Sequence, residues 1–404
     1  MSPLAGLRAM FRDPTLRLAT IALMCWGVVS AAIAPYQSLI GIRLLHLPPT
    51  GYAAVMVTAA LVSVSSSVVA GILADQRGWR RQVAMVLAFS LTLGVALMRF
   101  APAPVTFVVT HGLLVPMAAG LYGQLFALVR IASLPRPVAE RERISALTRA
   151  AVSLPFVTVL PLWAMAVRAG VPILQTYSLG LVAALVVLAL VLRQWPADDA
   201  LPGNARSGLS FRAALAELAH PAVLLRVVAL GMTVSGVMLY MAILGPMFAA
   251  TGRNDGLVAL FAGLVAGLEI PSMMIGASLV ARFPKTRVIA LGAAVHAAFL
   301  VCFAMSAHIG PVLLLTLPAG FGAGLLLMIP IGYVQDLLGH RPGAGGALIA
   351  VHQFLMAAFG ALAFAIGTEI QGYAAAALVS AVIVLSGAAL LVWLDRRRGA
   401  PVPG

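Results

Sequence analysis

Two ionisable side chains in this sequence stand where an apolar run makes charge expensive. Arg149 follows Ser145-Ala-Leu-Thr, and Glu269 lies within Ala266-Gly-Leu-Glu-Ile-Pro-Ser-Met273. Of 38 charged residues, 26 Lys and Arg plus 12 Asp and Glu, these two are the ones well inside long apolar runs. A lipid-facing charge at such depth costs at least ~2.5 kcal/mol, so each is expected to face a cavity or a partner. A guanidinium presents a planar fork of donors to a polar ligand. A carboxyl group deprived of water favours its neutral form and exchanges a proton as water comes and goes. That is the chemistry of holding a polar solute and moving a proton. Ser145 and Ser153 lie four residues either side of Arg149 and share its helical face. Blander roles stand beside these: Arg149 is shallow enough to snorkel to headgroups, and Glu269 could be a neutral acid bonded between helices. A direct pair is not expected, because the two depths differ by roughly seven residues, or ~10 Å.

A milder polar set surrounds them: Tyr36 and Gln37, Tyr122 and Gln124, Tyr240, Gln335, and His352 with Gln353. Hydroxyls, amides and aromatic faces suit a sugar-like ligand, which needs hydrogen-bond pairs for its hydroxyls and a flat surface for its ring. Ordinary interhelical hydrogen bonding is the competing role for each. Asp336 and Glu369 fall at run ends, where solvation explains them, and His308 near another end is given no role. No nucleotide loop, metal cluster or nucleophile elbow is present, so neither an enzyme, a metal, a cofactor nor an ATP-driven pump is expected from this chain alone. Cys25 and Cys302 lie within apolar runs and suggest neither a disulfide framework nor a metal site.

The elements that must position these residues follow from composition. A chain of 404 residues that is 62% hydrophobic and 9% charged is not an ordinary soluble domain. A spanning helix needs about 20 mostly apolar residues. Spans are expected near 18–42, 51–74, 82–98, 103–129, 144–167, 171–192, 227–250, 256–281, 288–306, 309–336, 345–368 and 372–394. The fold class is therefore an all-α membrane protein with twelve transmembrane helices. Ala32-Ile33-Ala34 looks like a signal-peptidase site, but the apolar run continues through Ile42, so it is expected to stay as the first span. The charge of +14 could suggest nucleic acid, yet the arginines are spread between apolar runs and are better explained as orientation signals. With a cytoplasmic N-terminus, 21 basic residues fall inside and only Arg43, Arg99, Arg168 and Arg253 outside. Both termini are thus expected in the cytoplasm and the chain in the inner (plasma) membrane, with the lipid bilayer as its surroundings.

The longest polar stretch begins at Arg193 and divides the chain into six-helix halves, residues 1–192 and 227–404, with a cytoplasmic linker over 193–226. Ser210 can cap a short linker helix that lays Leu215 and Leu218 on the membrane and turns Arg212 and Glu217 to water. Gly71, Asp75, Arg77, Gly78, Arg80 and Arg81 form a charged turn between two spans, able to serve as a cytoplasmic gate or merely to anchor topology. Gly71, Arg77 and Arg80 recur 205 residues later as Gly276, Arg282 and Lys285, with Val280 where the acid would be. Gln335 and Asp336 are the candidate gate residues of the second half. Gly120 with Gly123, and Gly320 with Gly324, mark close helix packing. Pro155, Pro161, Pro271 and Pro330 free backbone carbonyls and are places for kinks.

The turn at Gly71–Arg81 resembles the loop between helices 2 and 3 of the major facilitator superfamily, with Gln76-Arg77 in place of the usual order. Three stretches narrow the resemblance to its sugar efflux transporter family: Ser145–Leu154, Ala266–Met273, and Tyr333-Val-Gln-Asp-Leu-Leu with Gly343-Ala-Gly-Gly-Ala after it. Where that family often carries polar residues in span 11, this chain has Val351-His-Gln-Phe354. The resemblance implies two halves rocking around a site near the midplane. It also implies export of sugars or sugar-like molecules by antiport against protons. The rivals are a multidrug exporter of the same fold and a non-transporting membrane sensor or assembly protein. Oligomeric state is left open, a monomer sufficing.

Overall fold

The computed structural model describes residues 10–196, 221–305, 311–338 and 344–396. Twelve helices among them are long and apolar enough to cross a membrane, and the described chain holds no strand. The protein is an all-α multi-pass membrane protein. In the first six spans, α1 is Pro14–Leu39, α2 Pro49–Arg77, α3 Arg80–Phe100, α4 the interrupted span Pro104–Ser133, α5 Val138–Arg168 and α6 Thr176–Gln194. The second six are α7 Pro221–Ala250, α8 Gly256–Val280, α9 Lys285–Ala304, α10 Thr316–Leu338, α11 Ala344–Gln371 and α12 Tyr373–Arg396. Backbone groups have no water to bond in a bilayer, so helices that satisfy them internally are the form such apolar runs must take.

All twelve expected spans fall on these helices, but several ends differ. α5 starts at Val138, well before the apolar run. Pro137 precedes it with φ −56°, and Arg136 pairs with Glu140 at 2.6 Å one turn on. An acid in the first turn also suits the helix dipole. Counting apolar residues stops at the first charge; the backbone does not. Residues 197–220 lie outside the described part, and with them the linker helix expected after Ser210.

The break in α4 was not expected. Pro116 has no N–H to give the carbonyl four residues back, and the chain takes a π turn over Thr110–Leu114 just before it. Side chains take up the slack: Thr110 Oγ1 donates to the Gly94 carbonyl at 3.0 Å, and Ser90 Oγ to that of Leu114 at 2.8 Å. By contrast, the helices run unbroken through Pro155, Pro161, Pro271 and Pro330.

The chain divides into two compact units, Met1–Tyr36 with Leu61–Ser207, and Gln37–Ala60 with Gly208–Gly404. The first is built on a leucine-rich core that includes Leu16, Leu23, Leu87, Leu121 and Leu125, all buried. In the second, Phe248, Phe261, Phe299 and Phe303 pack together, mostly tilted or edge-on, with ring centroids 5.5–6.3 Å apart. Between lipid tails, apolar burial does little to hold helices together, and close backbone approach does more. α10 approaches α8 that closely. A Cβ on Gly324 would stand 2.7 Å from Ser272 Cβ and 2.8 Å from the Glu269 carbonyl oxygen. Gly120 is crowded too, by Ala70, Leu87 and Ser66, whereas Gly123 faces open space and does not make the expected close contact.

Candidate functional site

In the first unit, Arg149 lies on α5 with its side chain exposed to a cavity of about 560 Å³ between α4 and α5. Ser145, one turn earlier, lines the same cavity, joined by Arg141 another turn back and by Arg130 and Ser133 from α4. Ser153 does not line it. Its hydroxyl turns back toward the Arg149 carbonyl at 3.4 Å, as serine does within a helix. The Tyr122 phenol lies within electrostatic range of Arg149. Its ring packs on Phe126 at 4.8 Å and Trp26 at 6.3 Å, so one aromatic wall leads to the arginine. Gln124 is buried, and Tyr36 is wholly enclosed.

In the second unit, Glu269 is half-buried at the middle of α8, with Gly324 of α10 against its backbone. Among the described residues no basic side chain forms an ion pair with it. Tyr240, buried on α7, lies within its electrostatic reach. The Tyr240 ring stands 6.1 Å from that of His296 and 5.9 Å from that of Phe299. A carboxyl group, a phenol and an imidazole thus line up across α8, α7 and α9. His296 escaped the sequence reading because one histidine in an apolar run carries no spacing signal. So did His111, whose Nε2 lies 2.7 Å from the Tyr177 hydroxyl in the first unit. His352 is buried with its Nδ1 unpartnered, while Gln353 is exposed. Gln37, counted in the second unit, is half-buried.

The charged turn is shorter than expected. α2 continues through Gly71 to Arg77, so Gly71 is an ordinary helical residue with no neighbour to accommodate, not a turn. The reversal falls on Gly78, at φ +72°, where a side chain would be strained. Arg77 stacks over the Trp79 ring at 4.9 Å, and Arg81 donates to the Leu192 carbonyl at 3.3 Å. The side chains of Asp75 and Gln335 lie outside the described residues. In the second unit, Lys285, the counterpart of Arg80, bonds Asp336 at 2.6 Å and the Gly332 carbonyl at 3.2 Å. The acid absent from the repeat at Val280 is supplied by α10 instead.

Deeper in that unit lies a cluster that the sequence reading missed. Arg226 of α7, nearly fully buried, donates to Asp395 of α12 at 2.9 Å and to the Leu394 carbonyl at 2.7 Å. Thr286 and Tyr333 complete the carboxylate's shell at 2.8 and 2.9 Å. Just before α8 begins, Arg43 pairs with Asp255 at 2.8 Å. Opposite charges at the two ends of a half's first and last spans were the available signal for Arg226 and Asp395.

No family model matches the chain, and no curated protein matches it. Solved structures do. A mutant of the nucleoside transporter NupG superposes with a TM-score of 0.75 at 10% identity, covering 95% of this chain and all of that one. A D-xylose–proton symporter gives 0.68 at 16% identity over 95% and 97% of the two chains. A mutant of the peptide transporter POT gives 0.73 at 12% identity over 94% of each. At these identities the likeness speaks for architecture alone, and over nearly its whole length this chain has the major facilitator fold.

Proposed function

We propose that the chain is a secondary active transporter that exports sugars or sugar-like small molecules by alternating access in exchange for protons. The observation that carries this reading is Glu269: a carboxyl group at mid-helix, half-buried, without a basic partner among the described residues, beside Tyr240. Such a group takes a proton when water is excluded and yields it when water returns. Arg149, Ser145 and Tyr122 supply guanidinium, hydroxyl and aromatic surface for a polar solute. In this reading both termini face the cytoplasm and the chain sits in the inner membrane, an orientation supported by the excess of basic residues in the loops on that side. Among the solved relatives in fold, the D-xylose symporter pairs a sugar with protons, in the same direction rather than in exchange.

The test is Glu269→Gln in proteoliposomes. The amide mimics the protonated acid and cannot release a proton. Downhill exchange and substrate binding persist, while accumulation driven by an imposed pH gradient falls to background. Uphill transport with wild-type pH dependence in the Gln variant would leave the proton path elsewhere.

A second reading, multidrug export, is favoured by a different hollow. A cavity of about 640 Å³ between α2 and α3 is walled by Leu61, Val62, Val69, Trp79, Val86 and Met117. A panel of sugars against cationic drugs under the same gradient separates the two.

A further inference from the structure

Along α5, Arg141, Ser145 and Arg149 recur every fourth residue and so stand one above another on one face. Phe126, Arg130 and Leu134 do the same along α4. The two faces meet across the 560 Å³ cavity, which holds three guanidinium groups and, among the described residues, no lining carboxylate. Nearby described acids are engaged elsewhere. Glu140 pairs with Arg136 at 2.6 Å, and Asp13 bonds Arg136 at 3.4 Å and the Thr15 N–H at 2.9 Å. Among the described residues, none forms an ion pair with Arg130, Arg141 or Arg149.

Three like charges around one hollow repel one another, the more strongly where low-dielectric walls thin the water. Orientation signals need only be basic and near the surface; they do not need to converge from two helices on one cavity. An anion among the three removes the repulsion and gains charge-assisted hydrogen bonds. Guanidinium forks match the paired oxygens of an oxyanion as an ammonium does not. Ser145 adds a hydroxyl donor, whereas the Ser133 hydroxyl is already committed to the Arg130 carbonyl at 2.9 Å.

We propose that the cavity between α4 and α5 is an anion site that holds a phosphate group through Arg130, Arg141 and Arg149. The phosphate can belong to an anionic lipid headgroup or to a water-soluble solute. Arg149 and Ser145 also enter the transport reading, but equilibrium binding needs no transport, so either can fail alone.

The full-length chain is purified in neutral detergent and titrated with inorganic phosphate by calorimetry at fixed ionic strength. In parallel it is placed in phosphatidylcholine nanodiscs containing some phosphatidylglycerol, and retained lipid is counted by native mass spectrometry. Arg130→Gln and Arg141→Gln are each expected to weaken binding about tenfold, with partial recovery in the Lys variants. Arg193→Gln, a basic change outside the cavity, is expected to leave binding unaltered. Saturable phosphate binding without lipid identifies a soluble ligand; one tightly held phosphatidylglycerol per chain, lost in the Gln variants, identifies a headgroup. Should the Gln variants fold poorly, the wild-type chain answers alone. Phosphate, or phosphatidylglycerol in the nanodisc, then shields Arg130 and Arg141 from phenylglyoxal, as read by peptide mass. The proposal is overturned if neither probe binds saturably, or if binding and shielding are indifferent to these three arginines.

Discussion

Charge within an apolar helix needs a reason, and Arg149 and Glu269 have different ones. Arg149 opens onto a cavity beside Tyr122, so the shape of its head matters as well as its charge. Arg149→Lys keeps the charge but loses the fork. It should slow transport roughly tenfold at equal expression, about the 1.5 kcal/mol of one hydrogen bond to a charged group. A snorkelling arginine would accept lysine without loss, and initial rates in proteoliposomes decide. Both residues were visible in the sequence because a charge interrupts an apolar run. Arg226 and Asp395 were not, because each stands at the end of a run, where solvent accounts for a charge equally well. His296 was hidden for a different reason: an imidazole packed on Tyr240 and Phe299 sits among the rings of the core like any other ring.

At the scale of helices, four glycines gave the same small-residue signal, and the structure separates them. Gly324→Ala brings a Cβ within 2.8 Å of backbone at Glu269. It should cost about 1–3 kcal/mol, since α10 must back away from α8. Gly123→Ala meets nothing within 4 Å and should be neutral or slightly stabilising. Thermal unfolding of the two purified variants in the same detergent makes the comparison. The turn after α2 offers a second test. Asp75→Asn removes the acid of the charged turn; if that turn is a gate, cysteine labelling from the two sides of the membrane shifts in opposite senses while insertion is unchanged. Labelling and transport identical to the wild type would reduce it to an anchor. The number and order of the spans were legible because a bilayer demands one length of apolar helix. The break in α4 was not, because Pro116 acts through a π turn several residues earlier, and a proline such as Pro155 or Pro271 sits in an unbroken helix with the same sequence signature.

At the scale of the whole chain, the second unit carries ion pairs at the start of α8, Arg43–Asp255, and between the start of α9 and α10, Lys285–Asp336. Among the described pairs the most enclosed is Arg226–Asp395, and it should contribute most to stability. Asp395→Leu alone strands a buried guanidinium and should cost about 3–5 kcal/mol. Arg226→Leu with Asp395→Leu should recover most of that, and chemical unfolding of the two variants tests the difference. A double variant as unstable as the single one would mean that the cost lies in the hydrogen bonds lost from Thr286 and Tyr333 to the carboxylate, not in a stranded charge.

The same pair sets an order of events during synthesis. Arg226 emerges at the start of α7, and its carboxylate lies 169 residues further on, near the end of α12. Until α12 has entered the bilayer, five helices of this half must wait around an arginine whose permanent partner does not yet exist. Assembly of the half is therefore a closure, completed by its last span. A chain stopped just before Asp395 would keep every apolar residue needed to insert, yet present quality-control proteases with an unclosed bundle. Its lifetime in the cell, rather than its insertion, is where the loss would be seen.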